Sequence, residues 1–508
     1  MLDIQKIKKI KNNKIGFFRF KKFDEKTYLI TNDIWKYSFL TIKEFWDFIS
    51  WKINSWKKYK ELLENKFIKW ENYKDEMALS FARKNQFLST WPSLHIIVTT
   101  LRCNHKCQYC HASVSSMLTK KMDMTIETAK KVVDTIFYTS NNNITIEFQW
   151  GESLVNWEVV KYVVEYAQIK SLHLGKKVNF ALVSNLTLMD DEKMKFLLDN
   201  EVGISTSLDW DEELHNLNRT FKDWNSFKEV IYWTKKLNKE SKKRGIQRKV
   251  WALLTVTKET LSKPKEVIDT YRKIWLDGIF LRPLNPYWFA SVELKRLWYT
   301  MDEFIDFYHK SMEYIIELNK KWIIFREHLT NIYLTKILTD IDPNYLDERS
   351  PCWACIWQVA YNYDWKVYSC DEWRMFWRMN DYSFMMVDLN KISFDEYPWY
   401  EAYNNMINSE TTKVMVQAST LDWLPWYNDS VYKPYIWVCP IHSYKLSWNI
   451  IANYSKDDKR KLDYAILDYI FDKLRDKEYK EIFGKGVKVS KTIKQTQKKE
   501  VISQCENI

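Results

Sequence analysis

The stretch LHIIVTTLRCNHKCQYCHAS, residues 94–113, runs from an apolar strand directly into three closely spaced cysteines. Its first part, LHIIVTTL (94–101), is short, apolar and β-branched, which is typical of a strand buried on both faces. Cys103, Cys107 and Cys110 follow, separated by three and two residues. A cubane of four irons that is held by three thiolates keeps one iron open to a small chelating molecule. The sequence therefore predicts a [4Fe-4S] cluster at the end of this strand.

Zinc is the competing interpretation of these cysteines. A structural zinc site has four ligands, and His105 or His111 could supply the fourth. Three thiols within eight residues at a strand end are nevertheless poor zinc spacing. The chain has 8 cysteines in 508 residues, which is too few for a disulfide scaffold. Their grouping at 103–110 and 352–370 favours metal or redox chemistry.

Further apolar strands continue the pattern, with amphipathic helices between them. Thr125 is suited to cap the helix that follows the first strand. Six strand–helix units predict an α/β fold, in which right-handed crossovers curl a parallel sheet into a full or partial (β/α)6, TIM-like barrel. Chemistry in such barrels gathers at the carboxyl ends of the strands. The other strands are ITIEFQ (144–149), VNFALVSN (178–185), GISTSLD (203–209), VWALLTV (250–256) and GIFLRPL (278–284).

The chain divides into four regions by pattern. The first contains two strand-like segments that flank a turn at Ile34-Trp35, followed by two helices. We predict a small N-terminal α+β domain at 1–88, the barrel core at 89–335, a cysteine-bearing module at 336–455, and a C-terminal helix with a basic tail at 456–508.

Charge and hydropathy exclude some partners. The net charge is +12, and much of the excess lies in the lysine-rich tail, which we interpret as a solvated end rather than a nucleic-acid module. No apolar run approaches the roughly 18 residues of a membrane helix. The basic N-terminus lacks the apolar stretch of a secretory signal. We therefore expect a cytoplasmic protein that binds neither nucleic acid nor membrane.

Glycine is scarce and tryptophan abundant, with 8 Gly against 26 Trp. A chain of this length needs tens of glycines for its turns, since glycine usually supplies about 7% of residues. Trp365 and Trp210 occupy turn-like positions in which Asp-Gly would be the strong signal. We hypothesise that many of these tryptophans are glycines in the living protein, because some bacteria read the UGA codon as glycine. Trp46 and Trp157 lie where an aromatic residue fits.

These motifs resemble the radical S-adenosylmethionine (SAM) superfamily and, over most of residues 20–450, the His-Xaa-Ser system radical SAM maturases. The resemblance implies that SAM chelates the open iron of the cluster. It also implies that Tyr109 packs beside the cluster and the adenine. FQWGES (148–153) stands where the family has Gly-Gly-Glu, so Trp150, Gly151 and Glu152 would hold SAM, with Glu152 at its amine. Trp150 as written would crowd that ligand.

Two later motifs complete the site that the resemblance implies. Ser184 and Asn185 are similar to the groups that contact the ribose, although capping of the strand end explains them equally well. SLDWDEELHNLNR (207–219) resembles a run found in maturases that carry a SPASM domain, a C-terminal module that binds auxiliary clusters. Asp209 would then act as a proton acceptor or orient the substrate, and Arg219 would hold a carboxylate. A buried Asp–Arg pair with a structural role is the alternative.

The second group of cysteines predicts another metal site. Cys352, Cys355 and Cys370 lie in PCWACIWQVAYNYDWKVYSCDEWRM (351–375), and Cys439 follows later. Four thiolates suit one auxiliary iron–sulfur cluster, with zinc as the runner-up. SPASM relatives carry further cysteines before the final Cys-Pro, so the segment is SPASM-like and one auxiliary cluster is expected.

The resemblance implies a radical SAM maturase that takes hydrogen from a ribosomally made precursor peptide and receives electrons from a donor such as flavodoxin or ferredoxin. Two alternatives stay open. One is an anaerobic sulfatase-maturase-like enzyme that oxidises Cys or Ser in a protein. The other is a degenerate scaffold that binds peptide without turnover. The N-terminal unit resembles domains that bind leader peptides, and a structural cap on the barrel is its alternative.

Overall fold

The computed structural model describes residues 13–89, 92–112, 114–221, 225–285, 294–339, 341–343, 345, 347–377, 381–391, 398–453, 455 and 457–486. The strands are, in chain order, β1 (Arg19–Lys22), β2 (Thr27–Thr31), β3 (Tyr37–Thr41), β4 (Leu94–Ile97), β5 (His105–Cys107), β6 (Asn143–Phe148), β7 (Lys177–Ser184), β8 (Gly203–Ser207), β9 (Arg219–Phe221), β10 (Trp251–Thr255), β11 (Gly278–Arg282), β12 (Arg326–Glu327), β13 (Gln358–Tyr361), β14 (Lys366–Tyr368) and β15 (Met385–Asp388).

Eighteen α-helices accompany these strands in the described residues. They are α1 (Ile42–Ile49), α2 (Trp56–Glu64), α3 (Tyr73–Lys84), α4 (Ile126–Ile136), α5 (Trp157–Leu174), α6 (Asp191–Asp199), α7 (Glu212–Asn218), α8 (Ser226–Lys243), α9 (Pro264–Lys273), α10 (Leu294–Leu297), α11 (Met301–Lys320), α12 (His328–Leu338), α13 (Asp371–Phe376), α14 (Pro398–Ile407), α15 (Glu410–Ser419), α16 (Pro440–Ser447), α17 (Asp458–Lys473) and α18 (Lys477–Gly486).

The six predicted strands form the parallel part of one sheet, in the order β11-β10-β8-β7-β6-β4, and β12 joins β11 in the same direction. This confirms the predicted α/β architecture. The predicted helix cap is also present, because Thr125 accepts a hydrogen bond from the Thr128 amide at 3.1 Å. Along β6, Ile144, Ile146 and Phe148 are fully buried against the helices, so the residues between them face the concave side.

The cysteine-bearing module extends this sheet instead of forming a separate one. β13 pairs in parallel with β4, from Gln358 opposite Leu94 to Tyr361 opposite Ile97. β14 and β15 then continue the sheet in antiparallel fashion. The second group of cysteines therefore lies beside the strand that leads to the first group.

The N-terminal unit is an antiparallel sheet, β1-β2-β3, with α1 packed on it. Its first strand was not predicted from the sequence. Lys21 of β1 forms an ion pair with Asp468 of α17 at 2.7 Å, which ties the unit to the C-terminal helices. The single helix predicted at the C-terminus is two helices, α17 and α18, and the lysine-rich tail beyond 486 lies outside the described residues. No helix within the described ranges is both long and apolar enough to span a membrane.

Candidate functional site

The first three cysteines lie in the segment that follows β4. The short strand β5 carries Cys107 and pairs antiparallel with β9, so that Cys107 stands opposite Arg219. The amide of Cys103 donates to the carbonyl of Ser115 at 3.2 Å, and the amide of Cys110 donates to the carbonyl of Cys107 at 3.1 Å. These backbone bonds hold the cysteine segment in place independently of any bound metal.

Burial favours the neutral form of these thiols. It raises the pKa of Cys107 to about 12, and the guanidinium of Arg219 opposes that rise. Burial also raises the pKa of Cys103 and of Cys110. A metal cation deprotonates thiols in such a place by supplying positive charge. The donor set therefore fits a metal group.

The three thiols of the first group face a common space. Within the described ranges, no three His, Cys, Asp or Glu side chains converge as the ligands of a single metal ion would. Thiolates that hold a cubane bind different irons, and so they stand further apart than ligands of one ion. Cys103, Cys107 and Cys110 nevertheless line one cavity of about 480 Å³. A cavity of this size has room for a group of several atoms.

Glu152, Ser184 and Asn185 form one hydrogen-bonded group. The carboxylate of Glu152 is 1% exposed. It accepts bonds from the Ser184 hydroxyl at 2.8 Å, the Asn185 amide at 2.8 Å and the Leu154 amide at 3.1 Å. Since a carboxylate has about four acceptor positions, one stays open for a cationic partner. Burial raises the pKa of Glu152, and these hydrogen bonds counteract the rise.

The backbone at 150–152 packs tightly against the segment that leads to Cys103. Gly151 has φ +61°, and a Cβ atom there would lie 2.4 Å from the carbonyl oxygen of Thr100 and 2.7 Å from that of Arg102. Only glycine fits this position. Its neighbour Trp150 has φ +70°, and its ring lies against His111 with the centroids 5.2 Å apart. The indole of Trp150 therefore occupies part of the cavity next to the cysteines.

Asp209 lies behind the cavity instead of lining it. It is fully buried, and its carboxylate accepts bonds from the Tyr109 hydroxyl at 2.6 Å and from Arg219 at 3.4 Å. The same guanidinium reaches Cys107 Sγ at 4.0 Å and stacks over the Tyr109 ring at 5.1 Å. These contacts favour the structural Asp–Arg pair over the role of proton acceptor. The pair sets the position of Tyr109 and Cys107.

Three of the four later cysteines face the same cavity. Cys352, Cys370 and Cys439 line it from the side of the extended sheet. Cys355 has φ +68° and is fully buried, with its sulfur 3.9 Å from that of Met386. The structure thus brings both cysteine groups to one cavity and places Cys355 apart from its lining.

Several charged residues of the cavity were missed from the sequence. Glu147 faces inward from β6, and burial together with the charge of Asp371 raises its pKa to about 7. The sequence indicated the inward position of Glu147, because in ITIEFQ this acidic residue alternates with buried apolar ones. Asp371 and Glu372 follow Cys370 directly and also line the cavity.

Comparisons with known proteins agree with this geometry. Residues 97–270 match the model of the radical SAM superfamily. A cysteine-type anaerobic sulfatase-maturating enzyme of Clostridium perfringens is 32% identical over 131 residues, which are 25% of this chain and 35% of the relative. An uncharacterized protein of Methanocaldococcus jannaschii is 34% identical over 113 residues, 22% of this chain and 37% of that protein. The chain thus spans about a third of the length of the curated relatives it matches.

Solved structures are similar to this chain in fold over most of its length. Native anSMEcpe with bound AdoMet superposes with a TM-score of 0.60 at 16% identity, covering 77% of this chain and 99% of that one. The form with bound AdoMet and the Cp18Cys peptide gives a TM-score of 0.60, also at 16% identity, over 78% and 99% of the two chains. The chain carries a radical SAM domain, and its fold is the radical SAM α/β fold.

Proposed function

We propose that this chain is a radical SAM maturase that cleaves SAM reductively and takes hydrogen from a ribosomally made peptide of the His-Xaa-Ser type. One observation carries the proposal. Cys103, Cys107 and Cys110 share a cavity with Gly151 and Glu152 at the carboxyl ends of the parallel strands. This is the end of an α/β barrel at which chemistry gathers.

The chain's own residues position the reactants. Cys103, Cys107 and Cys110 would hold a [4Fe-4S] cluster, and the open acceptor position of Glu152 would receive the ammonium of SAM. Arg219 lies within 4.0 Å of Cys107 Sγ and adds positive charge beside the thiolate. When bound, the cluster and SAM supply the radical that abstracts a hydrogen atom from the substrate.

Anaerobic reconstitution tests the proposal. Wild-type protein with SAM and dithionite is expected to produce 5′-deoxyadenosine and to show a cluster signal by electron paramagnetic resonance. Cys103→Ala should lose both the product and about four irons, since a cubane holds four. Cys505→Ala is the matched control, because Cys505 belongs to neither cysteine group. Zinc at these thiols, or product formation by the Cys103 variant, would contradict the proposal.

A second iron–sulfur cluster on the later cysteines is part of the proposal. Cys352, Cys370 and Cys439 support it because they line the same cavity as the first group. The cluster would accept an electron from the substrate or bind it. Cys352→Ala should then lower the iron content by about four while the SAM-dependent signal persists. Loss of zinc instead of iron would favour the zinc alternative.

Sulfatase-type maturation is the second candidate. It is favoured by the likeness to the Clostridium perfringens enzyme and to anSMEcpe, whose structure holds a peptide together with AdoMet. Reconstituted protein should be offered a His-Xaa-Ser repeat peptide and a sulfatase peptide with Cys or Ser, and the products weighed by mass spectrometry. Modification of the sulfatase peptide alone would overturn the first assignment. A protein that yields no 5′-deoxyadenosine would be the peptide-binding scaffold.

A further inference from the structure

The left-handed backbone conformation is concentrated on tryptophan. Among the described residues other than glycine, twelve have a positive φ, and seven of these are Trp. Bulky side chains rarely adopt this conformation, whereas glycine enters it without a steric penalty. The seven are Trp35 (64°), Trp51 (58°), Trp150 (70°), Trp275 (66°), Trp322 (64°), Trp365 (63°) and Trp448 (55°).

Three of these tryptophans follow helices at the position where glycine most often ends a helix. After α11, the Trp322 amide donates to the Asn319 carbonyl at 3.1 Å, and the Ile323 amide donates to the Leu318 carbonyl at 3.0 Å. This pair of bonds defines a Schellman motif, whose left-handed residue is usually glycine. Trp275 after α9 and Trp51 after α1 have the same two bonds.

Authentic glycines of this chain occupy the same motifs. Gly245 ends α8 with φ +73°, and its amide donates to the Lys242 carbonyl at 3.2 Å. Gly175 caps α5 in the left-handed conformation with its amide bonded to Ser171, four residues back. Trp448 caps α16 in the same way, with its amide bonded to Tyr444. The chain therefore uses glycine and tryptophan at equivalent backbone positions.

Two more of the seven lie in tight turns between strands. Trp35 separates β2 from β3, and Trp365 separates β13 from β14. Asp364-Trp365 thus takes the place of Asp-Gly in a hairpin, as expected from the sequence. The sequence also predicted an Asp-Gly-like turn at Asp209-Trp210. Trp210 is not among the described residues with positive φ, so this prediction is wrong for the backbone conformation of Trp210.

Trp150 adds an independent observation at the cavity. Its indole N–H is buried and has no hydrogen-bond partner among the described residues. Buried donors are almost always paired, so this unpaired indole N–H is an unfavourable feature of tryptophan at position 150. With φ +70° directly before Gly151, the backbone of residue 150 has the conformation of a second glycine.

We propose that these seven positions are glycine in the protein as its native host makes it. The native host would read UGA codons as glycine, whereas another genetic code reads them as tryptophan. The natural chain then ends its helices and turns its hairpins with the residue that those conformations require. At position 150 it also leaves open the space beside the three cysteines.

The gene and the native protein together test this inference. The seven codons are expected to be UGA, and tandem mass spectrometry of tryptic peptides from the native host should identify glycine at each position. UGG codons, or peptides with an intact indole at these positions, would overturn the proposal.

A matched pair of variants tests the physical reason in a host with the standard code. Trp322 and Trp56 are 74% and 75% exposed, so removing either side chain costs little burial, but Trp56 is the first residue of α2 and has ordinary helical geometry. Trp322→Gly should raise the midpoint of thermal unfolding, and Trp56→Gly should leave it unchanged or lower it. A lower midpoint for Trp322→Gly would overturn the argument.

Discussion

The replacement of Asp209 by asparagine separates a structural role from a catalytic one. Asp209 is fully buried and Arg219 is 7% exposed, so the variant leaves a guanidinium in the interior without its anionic partner. Breaking a buried ion pair in this way typically costs about 3–5 kcal/mol of the free energy of unfolding. With a denaturant slope of about 3 kcal/mol per molar urea, the midpoint of unfolding should fall by roughly 1 M.

The assay is anaerobic urea denaturation of the protein without its cofactors, followed by tryptophan fluorescence. Asp211→Asn is the matched control from the same motif. Asp211 caps α7 by accepting a bond from the Leu214 amide at 2.7 Å, and asparagine caps helices about as well as aspartate. The control should therefore unfold near the wild-type midpoint.

One result would refute this reasoning. If Asp209→Asn unfolds at the wild-type urea concentration but no longer yields 5′-deoxyadenosine with SAM and dithionite, the carboxylate takes part in the reaction and its role is not the pairing with Arg219. We expect the variant to be less stable than the wild type. The variant should lose stability first, and it should lose its cluster as Tyr109 and Cys107 shift.

Other predictions follow from single contacts. Burial lowers the pKa of His95 to about 3, against about 6.5 in the unfolded chain. The free energy of unfolding should therefore decrease as the pH falls from 6.5 toward 3, by up to about 1.4 kcal/mol per pH unit. His95→Gln should reduce this pH dependence in urea titrations between pH 7 and 4, and an unchanged slope would contradict the prediction. Thr300→Ala removes the capping box of α11 and should cost about 1 kcal/mol in the same assay, and an unchanged midpoint would contradict this expectation. Trp150→Gly should tighten SAM binding roughly tenfold by calorimetry, or about 1.4 kcal/mol, while Trp251→Gly, on another wall of the cavity, should not.

The fold could be predicted from the sequence because its signals are local. Each strand of the parallel sheet is a short apolar run, and the three cysteines follow one of them within a few residues. Strand pairings between segments that are distant along the chain could not be recognised from the sequence. The ladder between Cys107 and Arg219 joins residues 112 positions apart, and neither segment is apolar enough to be recognised as a strand. The inward position of Glu147 became meaningful only when neighbouring strands placed it in the cavity.

The strained tryptophans have an energetic consequence for the whole chain. A residue with a side chain in the left-handed conformation costs about 1–2 kcal/mol relative to glycine. Seven such residues would cost about 10 kcal/mol, which is comparable to the entire stability of a typical domain. A protein could not sustain this cost without compensation. Expression with tryptophan at these positions would therefore yield a marginally stable protein.

The position of β13 links the two cysteine groups mechanically. Because β13 pairs with β4 over four residues, the distance between the groups is set by a hydrogen-bonded ladder and not by a flexible linker. Cys103 follows β4, Cys352 precedes β13, and both line the cavity. One sheet therefore holds both cysteine groups around one cavity.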